Sequence, residues 1–448
     1  MVLRQTLAQR LMKAVIILAA GNGTRMKSHI PKVLHTISGK PMLQWVIDAT
    51  DSLNFEQIII VTSPSLEFDN HINNIDIVVQ KSPKGTGDAL QIAFNKVKNN
   101  INHVLLICAD TPLLNPLDLK NLIDSKADLT IAAMEIEDLS KPYGRIELNA
   151  KGKPVSVIET KHNEIAKSNK IANAGAYVFS TKLLQTLLPK LGPNQESGEI
   201  YATDLVALAV SNGYSTDLIY AKEENFFGVN TIVELTQAEK IMQDRIKKNH
   251  MLNGVRFVLP ETTYVNYDAE IASGAYIEPN VYIGKNVRIA PYASIFGHSY
   301  LSDCLICAEA TVGPFAHLRG NAEIQEKASI GNFVEVKNSI IGKKAKVKHL
   351  SYIGDASVGE KTNIGAGTIT CNYNGFEKFK TQIGKEVMVG ANTTLLAPVY
   401  IGDGAYIAAG SVITEDVAQD SLAISRTQQH EKNGWAVSFR TRYAKKLS

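Results

Sequence analysis

Between about residue 255 and residue 423 the chain places an aliphatic side chain at every sixth position, and this period limits its fold more than any other feature. Val265, Ile271, Ile277, Ile283, Ile289 and Ile295 form one run, and Ile306, Val312, Leu318, Ile324, Ile330 and Val336 form the next. The register slips and resumes at Ile341, Val347 and Ile353, again at Val358 and Ile364, and last at Ile383, Val389, Leu395, Ile401 and Ile407. Small or turn-forming residues follow many of these aliphatics, as in IGKNVR at 283–288 and IGDGAY at 401–406. A repeat of this kind marks a parallel β-helix, in which each aliphatic points inward and stacks on its equivalent in the next coil. Each such side chain contributes about 1.5–3 kcal/mol on burial.

Up to about residue 230 the pattern is different. Short apolar runs at 15–20, 58–61, 77–80 and 104–108 read as buried strands, and 42–50 and 89–97 carry helical spacing between them. Strand then helix, repeated, predicts an α/β domain with a parallel sheet and helices on both faces. Over 232–249, Ile232, Leu235, Ala238, Ile241, Met242 and Ile246 share one helical face, and Thr231 with Glu234 has capping-box spacing. Three parts are therefore expected: a domain over 1–230, a linker helix over 231–252 and the repeat domain with its tail over 253–448. The alternative is that this helix is interior to one of the halves.

Composition limits the partners. The 448 residues are 45% hydrophobic, enough for a sizeable core. With 47 Lys plus Arg against 44 Asp plus Glu the formal charge is +3, which gives no general attraction to nucleic acid or anionic membrane, so any bound anion must be held by local sites. The longest unbroken apolar run, 14–20, is seven residues, against roughly 18 for a membrane span. The opening MVLRQTLAQRLM does not read as a secretory signal, and Met12 is an alternative start to Met1. The four cysteines, Cys108, Cys304, Cys307 and Cys371, are too few and too scattered to staple the chain, so a cytoplasmic location is expected. Cys304 and Cys307 make a CxxC with no second CxxC, and read as small buried side chains rather than as a metal site.

The motif LAAGNGTRM at 18–26 follows the first strand and precedes SHIPKVLHTISGKP at 28–41. Gly21 and Gly23 let the backbone approach phosphate oxygens, and Arg25 and Lys32 supply positive charge. Met26 stands where a dinucleotide fingerprint needs its third glycine, and the chain has no Walker GKS or GKT. Asp110 ends the strand at 104–110, where open parallel sheets put ligand-binding groups. Magnesium needs only one or two protein oxygens when substrate phosphates and waters supply the rest. The plain alternative is a helix cap toward Leu113.

LAAGNGTRM with PKVLH (31–35), GTGDA (85–89), ADTPLL (109–114), YGRIEL (143–148), VIETK (157–161), NAGAYVF (173–179) and GVNT (228–231) resembles the sugar-1-phosphate nucleotidyltransferases. The repeat half adds GPFAHLRG (313–320), VEVKNS (334–339), HLSYIGDA (349–356), NIGAGTITCNYNG (363–375) and ISRTQ (424–428). This order of motifs is similar to the family of bifunctional bacterial enzymes that are both glucosamine-1-phosphate acetyltransferase and N-acetylglucosamine-1-phosphate uridyltransferase. The resemblance runs from Lys13 to the tail and implies a doubly wound, Rossmann-like first domain and a left-handed β-helix of about nine triangular coils. It also implies a homotrimer that makes UDP-N-acetylglucosamine for cell-wall and envelope sugars from UTP, acetyl-CoA and sugar phosphates.

In the first half the resemblance implies that Leu18, Ala19, Ala20, Gly21, Gln80, Gly85 and Thr86 contact the uridine nucleotide, with Arg25 and Lys32 on phosphates. Gly144, Glu159 and Asn173 would hold the sugar, and Asp110 and Asn230 would bind Mg2+. Pro83 stands where the family usually has a second Gln, and Cys108 and Ala109 replace its Tyr-Gly.

A structural β-helix needs only aliphatics and turn residues, yet this one carries Arg319, Lys337, His349, Tyr352, Asn363, Asn372 and Tyr373. Coils stack about 4.8 Å apart, so these residues can converge on one face. Arg319 and Lys337 are eighteen residues apart, one full coil, so they stack, and two stacked cations call for an anion such as a sugar phosphate. The resemblance makes His349 the general base for acetyl transfer and puts Arg319, Lys337, Tyr352 and Asn363 on the sugar phosphate. Ala366, Asn372, Tyr373, Ala391, Ala409 and Arg426 would line the acetyl-CoA site, with Ala391 replacing the family's usual Ser. The basic tail, with Lys432, Arg440, Arg442, Lys445 and Lys446, reads as solvated and flexible, the alternative being a role against the CoA phosphates. Two competing readings remain: a nucleotidyltransferase whose β-helix only assembles subunits, and a scaffolding subunit with a degenerate nucleotide fold.

Overall fold

The computed structural model describes residues 12–66, 75–159, 168–195 and 197–444. Met1, the Thr160–Lys161 end of the VIETK motif, and Lys445 and Lys446 lie outside them. The chain forms two compact units, Met1–Gln243 and Asp244–Ser448.

The first unit opens with β1 (Lys13–Ala19), a hairpin of β2 (Thr36–Ile37) and β3 (Lys40–Pro41), and α1 (Met42–Asp51). There follow β4 (Gln57–Thr62), β5 (Ile75–Val79), α2 (Thr86–Phe94), β6 (His103–Cys108) and α3 (Pro116–Ile123). Next come β7 (Leu129–Glu135), β8 (Arg145–Leu148), β9 (Pro154–Ile158), β10 (Ile171–Ser180), α4 (Thr181–Leu187), α5 (Asp204–Ser211) and β11 (Thr216–Tyr220). The sheet runs in the order β11-β7-β10-β6-β1-β4-β5.

Alternate residues of β1 enter two different cores. Ala14 and Ile16 pack with Leu90, Leu183 and Leu205 from α2, α4 and α5 on one face; Val15, Ile17 and Ala19 pack with Val46 and Leu119 from α1 and α3 on the other. The Val- and Ile-rich run of β1 is thus the signature of a strand buried on both sides. Two expectations need correction. The sheet is mixed: β6, β1, β4 and β5 are parallel, but β10 is antiparallel to both β6 and β7. From β7 to β10 strand follows strand with no α-helix among the described residues, so no crossover returns the chain to a parallel direction. The strand at 77–80 is not buried either, because β5 lies at the sheet edge, where Ile77 is 45% and Val79 48% exposed.

Helix α6 (Ile232–Leu252) starts as its sequence predicts. The Glu234 amide donates to Thr231 Oγ1 at 3.2 Å, while the Glu234 carboxylate accepts from the Asn230 amide at 2.8 Å. Of the predicted apolar face Ala238 and Met242 are buried, but Ile232 is exposed. Gln243 and Lys247 are buried polar members that the apolar pattern missed. The division between the two units falls inside this helix.

The second unit is a left-handed parallel β-helix of hexapeptide repeats with three faces of ten, nine and eight short strands. The first face begins at Arg256–Phe257, the second at Tyr264–Val265 and the third at Glu270–Ile271. Every aliphatic of the predicted series is buried in one continuous core. The break between Ile364 and Ile383 has two causes. Thr370 takes an inward position, its hydroxyl accepting from the Gly354 amide at 2.8 Å, and residues 372–380 loop out before the strand Thr381–Ile383. Cys304 is buried on the third face, where desolvation pushes its thiol up to about 12. The tail is solvated as expected, and its Trp435–Ala444 stretch forms an exposed helix, α7, with Trp435 stacked on Phe439 and Phe439 tilted against Tyr443 along one side. Among the described residues no helix is long and apolar enough to cross a membrane.

Candidate active sites

In the first unit a cavity of about 400 Å³ opens at the carboxyl ends of β1 and β6. Leu18, Ala20, Gly21, Lys32, Gln80, Gly85, Thr86 and Asp110 all line it, as do Asn22, Pro83, Cys108 and Glu199. Ala19 does not, because its side chain points into the core behind the sheet. The 80–87 loop is tied down on both sides. Gln80 Nε2 donates to Asp88 Oδ2 at 2.7 Å, the Gly87 amide to Ile200 O at 2.8 Å, and the Ala202 amide to Thr86 Oγ1 at 3.0 Å. Desolvation raises the Cys108 thiol to about 12, with the nearby Asp110 carboxylate adding to the rise, so the cavity wall there is neutral.

At the cavity mouth four predicted residues meet. Lys32 Nζ lies 2.5 Å from Asp110 Oδ2 and 3.2 Å from Asn230 Oδ1, and Arg25 Nη2 donates to the same Asn230 oxygen at 2.8 Å. The Val229 amide donates to Asp110 O at 2.8 Å, which draws the 228–231 turn onto the strand end. Gly23 holds Lys32 in place: a Cβ there would stand 2.6 Å from Lys32 Cβ. Its missing side chain serves the lysine, whereas Gly21 faces open space as expected of a phosphate-facing glycine. Asp110 is no helix cap, since Asn115 caps α3 through Leu117 at 2.9 Å. Asp110 and Asn230 offer two hard oxygens to one cationic point, now taken by the lysine ammonium. This fits a Mg2+ that takes its remaining ligands from phosphates and water.

Gly144 and Asn173 lie together on the β8–β10 side, the Asn173 amide donating to Gly144 O at 2.9 Å and Asn173 Nδ2 to Tyr177 Oη at 2.6 Å. Glu159 follows the end of β9. None of the three lines the cavity above. Behind them Arg145 is fully buried, and desolvation lowers its pKa. Its guanidinium donates to the carbonyls of Leu139, Lys141 and Tyr143. Those carbonyls fix the loop that presents Gly144.

On the β-helix Arg319 and Lys337 are direct neighbours across the second-face strands His317–Arg319 and Glu335–Lys337, as their spacing predicts. Arg319 already has a carboxylate, with Nη2 2.6 Å from Glu335 Oε1. Lys337 has no ion-pair partner among the described residues. Tyr352 sits on the same face beside Glu335. His349 does not. It ends the first-face strand Lys346–His349, where Asn332 is its rung partner and their side chains lie 2.7 Å apart. Asn363 is also on the first face, against Met388.

Extending the first-face register by two residues sets Asn332, His349, Ala366, Ala391 and Ala409 in one column along a single corner. Arg426 joins its upper end, Nη1 donating to Ala409 O at 2.9 Å. Asn372 and Tyr373 fall at the next corner. Asn372 is buried and donates to Asp355, and Tyr373 Oη donates to Gly375 O at 2.6 Å. Burial by itself would raise Asp355, but hydrogen bonds from Asn338 and Asn372 and the charges of Lys378 and Lys337 hold it below the usual carboxylate range. The polar set therefore spans two faces and their edges, and the expectation of a single face is corrected.

The pattern of the MobA-like NTP transferase domain matches residues 15–167, and that of the six-repeat bacterial transferase hexapeptide matches residues 380–415. The bifunctional protein GlmU of Zymomonas mobilis is 40% identical over 444 residues, covering 97% of this chain and 98% of its own. The chain belongs to the GlmU family. The GlmU proteins of Bartonella quintana, 39% identical over 95% of this chain and 97% of that protein, and Streptococcus thermophilus, 40% identical over 94% of this chain and 97% of that protein, agree along the same length.

Sequence reading missed three groups that the structure sets beside the predicted residues. Glu335 lies inside the VEVKNS motif and Asn332 in an ordinary-looking repeat position, and only the coil register puts them beside Arg319 and His349. Arg145 lies inside the YGRIEL motif, but its burial without a carboxylate has no sequence signal.

Proposed function

We propose that this GlmU-family chain makes UDP-N-acetylglucosamine at two sites, first by acetyl transfer from acetyl-CoA to glucosamine-1-phosphate and then by uridylyl transfer from UTP. The observation that carries the reading is the corner column of His349 below Ala366, Ala391 and Ala409. A β-helix that only assembled subunits would have no use for a histidine beneath a stripe of small, open residues.

In the first unit the phosphate oxygen of N-acetylglucosamine-1-phosphate attacks the α-phosphorus of UTP, and the bond to pyrophosphate breaks. That displacement needs alignment and charge neutralisation more than a protein nucleophile. Arg25 and Lys32 neutralise phosphate charge, Gln80, Gly85 and Thr86 orient the nucleoside, and Gly144, Glu159 and Asn173 hold the sugar. Asp110 and Asn230 would hold Mg2+, which supplies further charge stabilisation on the phosphates when bound.

In the second unit the glucosamine amine attacks the acetyl thioester while His349 takes its proton, the carbon–sulfur bond breaks, and His349 returns that proton to the departing thiolate so that CoA leaves as the thiol. Arg319, Lys337, Tyr352 and Asn363 bind the sugar phosphate, and Ala366, Asn372, Tyr373, Ala391, Ala409 and Arg426 line the acetyl-CoA path. These residues lie on diverging faces of one prism, so a second copy is needed to close a pocket around them. We infer a cytoplasmic homotrimer, with function divided among 1–230, a linker helix at 231–252 and 253–448. Light scattering should return three times the 48.9 kDa chain mass; a monomer with full acetyl transfer would refute the shared site.

Pro83 lines the nucleotide cavity and has no donor or acceptor in its side chain. Pro83→Gln is expected to sharpen selectivity for UTP over CTP and dTTP, read as ratios of kcat/KM. Unchanged ratios would mean the base is read elsewhere. The function as a whole is tested by two separate assays on the purified chain: thiol release from acetyl-CoA with glucosamine-1-phosphate, and pyrophosphate release from UTP with N-acetylglucosamine-1-phosphate. Both should run. Absence of either returns the chain to one of the single-activity readings.

A further inference from the structure

His349 is exposed at the end of its strand, and a general base so placed needs something to set its ring and its tautomer. The strand Ser329–Asn332 below it provides a single side chain for this, Asn332, whose Oδ1 lies 2.7 Å from His349 Nδ1. The two strands close on each other at this end because residue 331 is glycine. A Cβ there would lie 1.9 Å from Lys348 O. The Leu350 amide donates to Asn332 O at 3.0 Å and continues the ladder past the histidine.

Resting on the reading of His349 as the acetyl-transfer base, we propose that Asn332 is its positioning residue. The Asn332 side-chain oxygen accepts the Nδ1 proton, leaves the lone pair of the neutral ring on Nε2 and turns that atom outward to the substrate amine. The surroundings leave this role to Asn332. The charged groups on the histidine's own strand are Lys346 and Lys348, and the Lys348 ammonium is held by Ser329 Oγ. The strand below brings Ser329 and Asn332, and the stretch above, Asn363 to Thr368, has no ionisable side chain. No carboxylate on either neighbouring strand competes for Nδ1.

The test compares Asn332→Ala and Asn332→Asp in the full-length protein, with uridylyl transfer as the check that each variant is folded. Asn332→Ala removes the acceptor, so acetyl-transfer kcat should fall at least about tenfold, with KM for acetyl-CoA near wild type. Asn332→Asp keeps an acceptor and adds a negative charge that favours the imidazolium. It should restore kcat on the plateau and move the acidic limb of the pH–rate profile up by about one unit. A merely structural asparagine would not move that limb. Asn332→Ala within twofold of wild type, or Asn332→Asp with an unmoved limb, overturns the proposal while His349→Ala remains inactive. His349→Ala retaining activity would instead overturn the assignment of the base itself.

Discussion

Asp110→Asn is expected to lower uridylyl transfer by about 10³ while acetyl transfer stays at its wild-type rate. The carboxylate is 2.5 Å from the Lys32 ammonium and shares it with Asn230, so it is the one negative charge among the four groups that meet at the cavity mouth. An amide in its place keeps the shape but gives up the charge that holds Lys32 and that would bind Mg2+. Nothing in the β-helix coils depends on this group, because their core is a separate cluster of inward aliphatics. Coupled pyrophosphate release checks the first activity and thiol release the second. Loss of both in a protein that remains folded would contradict two independent sites.

His349→Ala should cost acetyl transfer about 10²–10⁴ in turnover and leave uridylyl transfer untouched. The amine of glucosamine-1-phosphate is largely protonated at neutral pH, and the protonated form has no lone pair with which to attack. Lys337, with no ion-pair partner among the described residues and next to Arg319, would have to stay charged to hold a phosphate. The unperturbed pKa of a tyrosine such as Tyr352 is about 10, too high for a base at neutral pH. The acidic limb of the pH–rate profile should disappear in the variant. Acetyl transfer within tenfold of wild type would return His349 to an ordinary exposed side chain.

What the sequence made legible follows from which constraints are local. An inward aliphatic is required at each turn of a β-helix, so the period announces the fold, and Ile283 or Ile401 can be assigned a buried place without coordinates. The stacking of Arg319 on Lys337 is legible for the same reason, since one coil is eighteen residues where no slip intervenes. The column of His349, Ala366, Ala391 and Ala409 is not, because the 372–380 loop interrupts the count and only the strand register restores it. Asn332 was hidden by its ordinary appearance in a half-buried repeat position, and the pairing of Glu335 with Arg319 by the coil register that sets it. In the first unit, residues of LAAGNGTRM and ADTPLL line the cavity, for each motif lies at the end of a parallel strand. The antiparallel β10 and the half-exposed β5 escaped, since direction and edge position are set by pairing partners far away in the chain.

Both transfers are expected to run in sequence on one chain. The most direct test is a mass measurement on a single reaction containing the purified protein, glucosamine-1-phosphate, acetyl-CoA, UTP and Mg2+. The expected final product is UDP-N-acetylglucosamine, with N-acetylglucosamine-1-phosphate accumulating when UTP is withheld. A reaction that yields UDP-glucosamine, or that forms no N-acetylated sugar phosphate without UTP, would contradict this expectation.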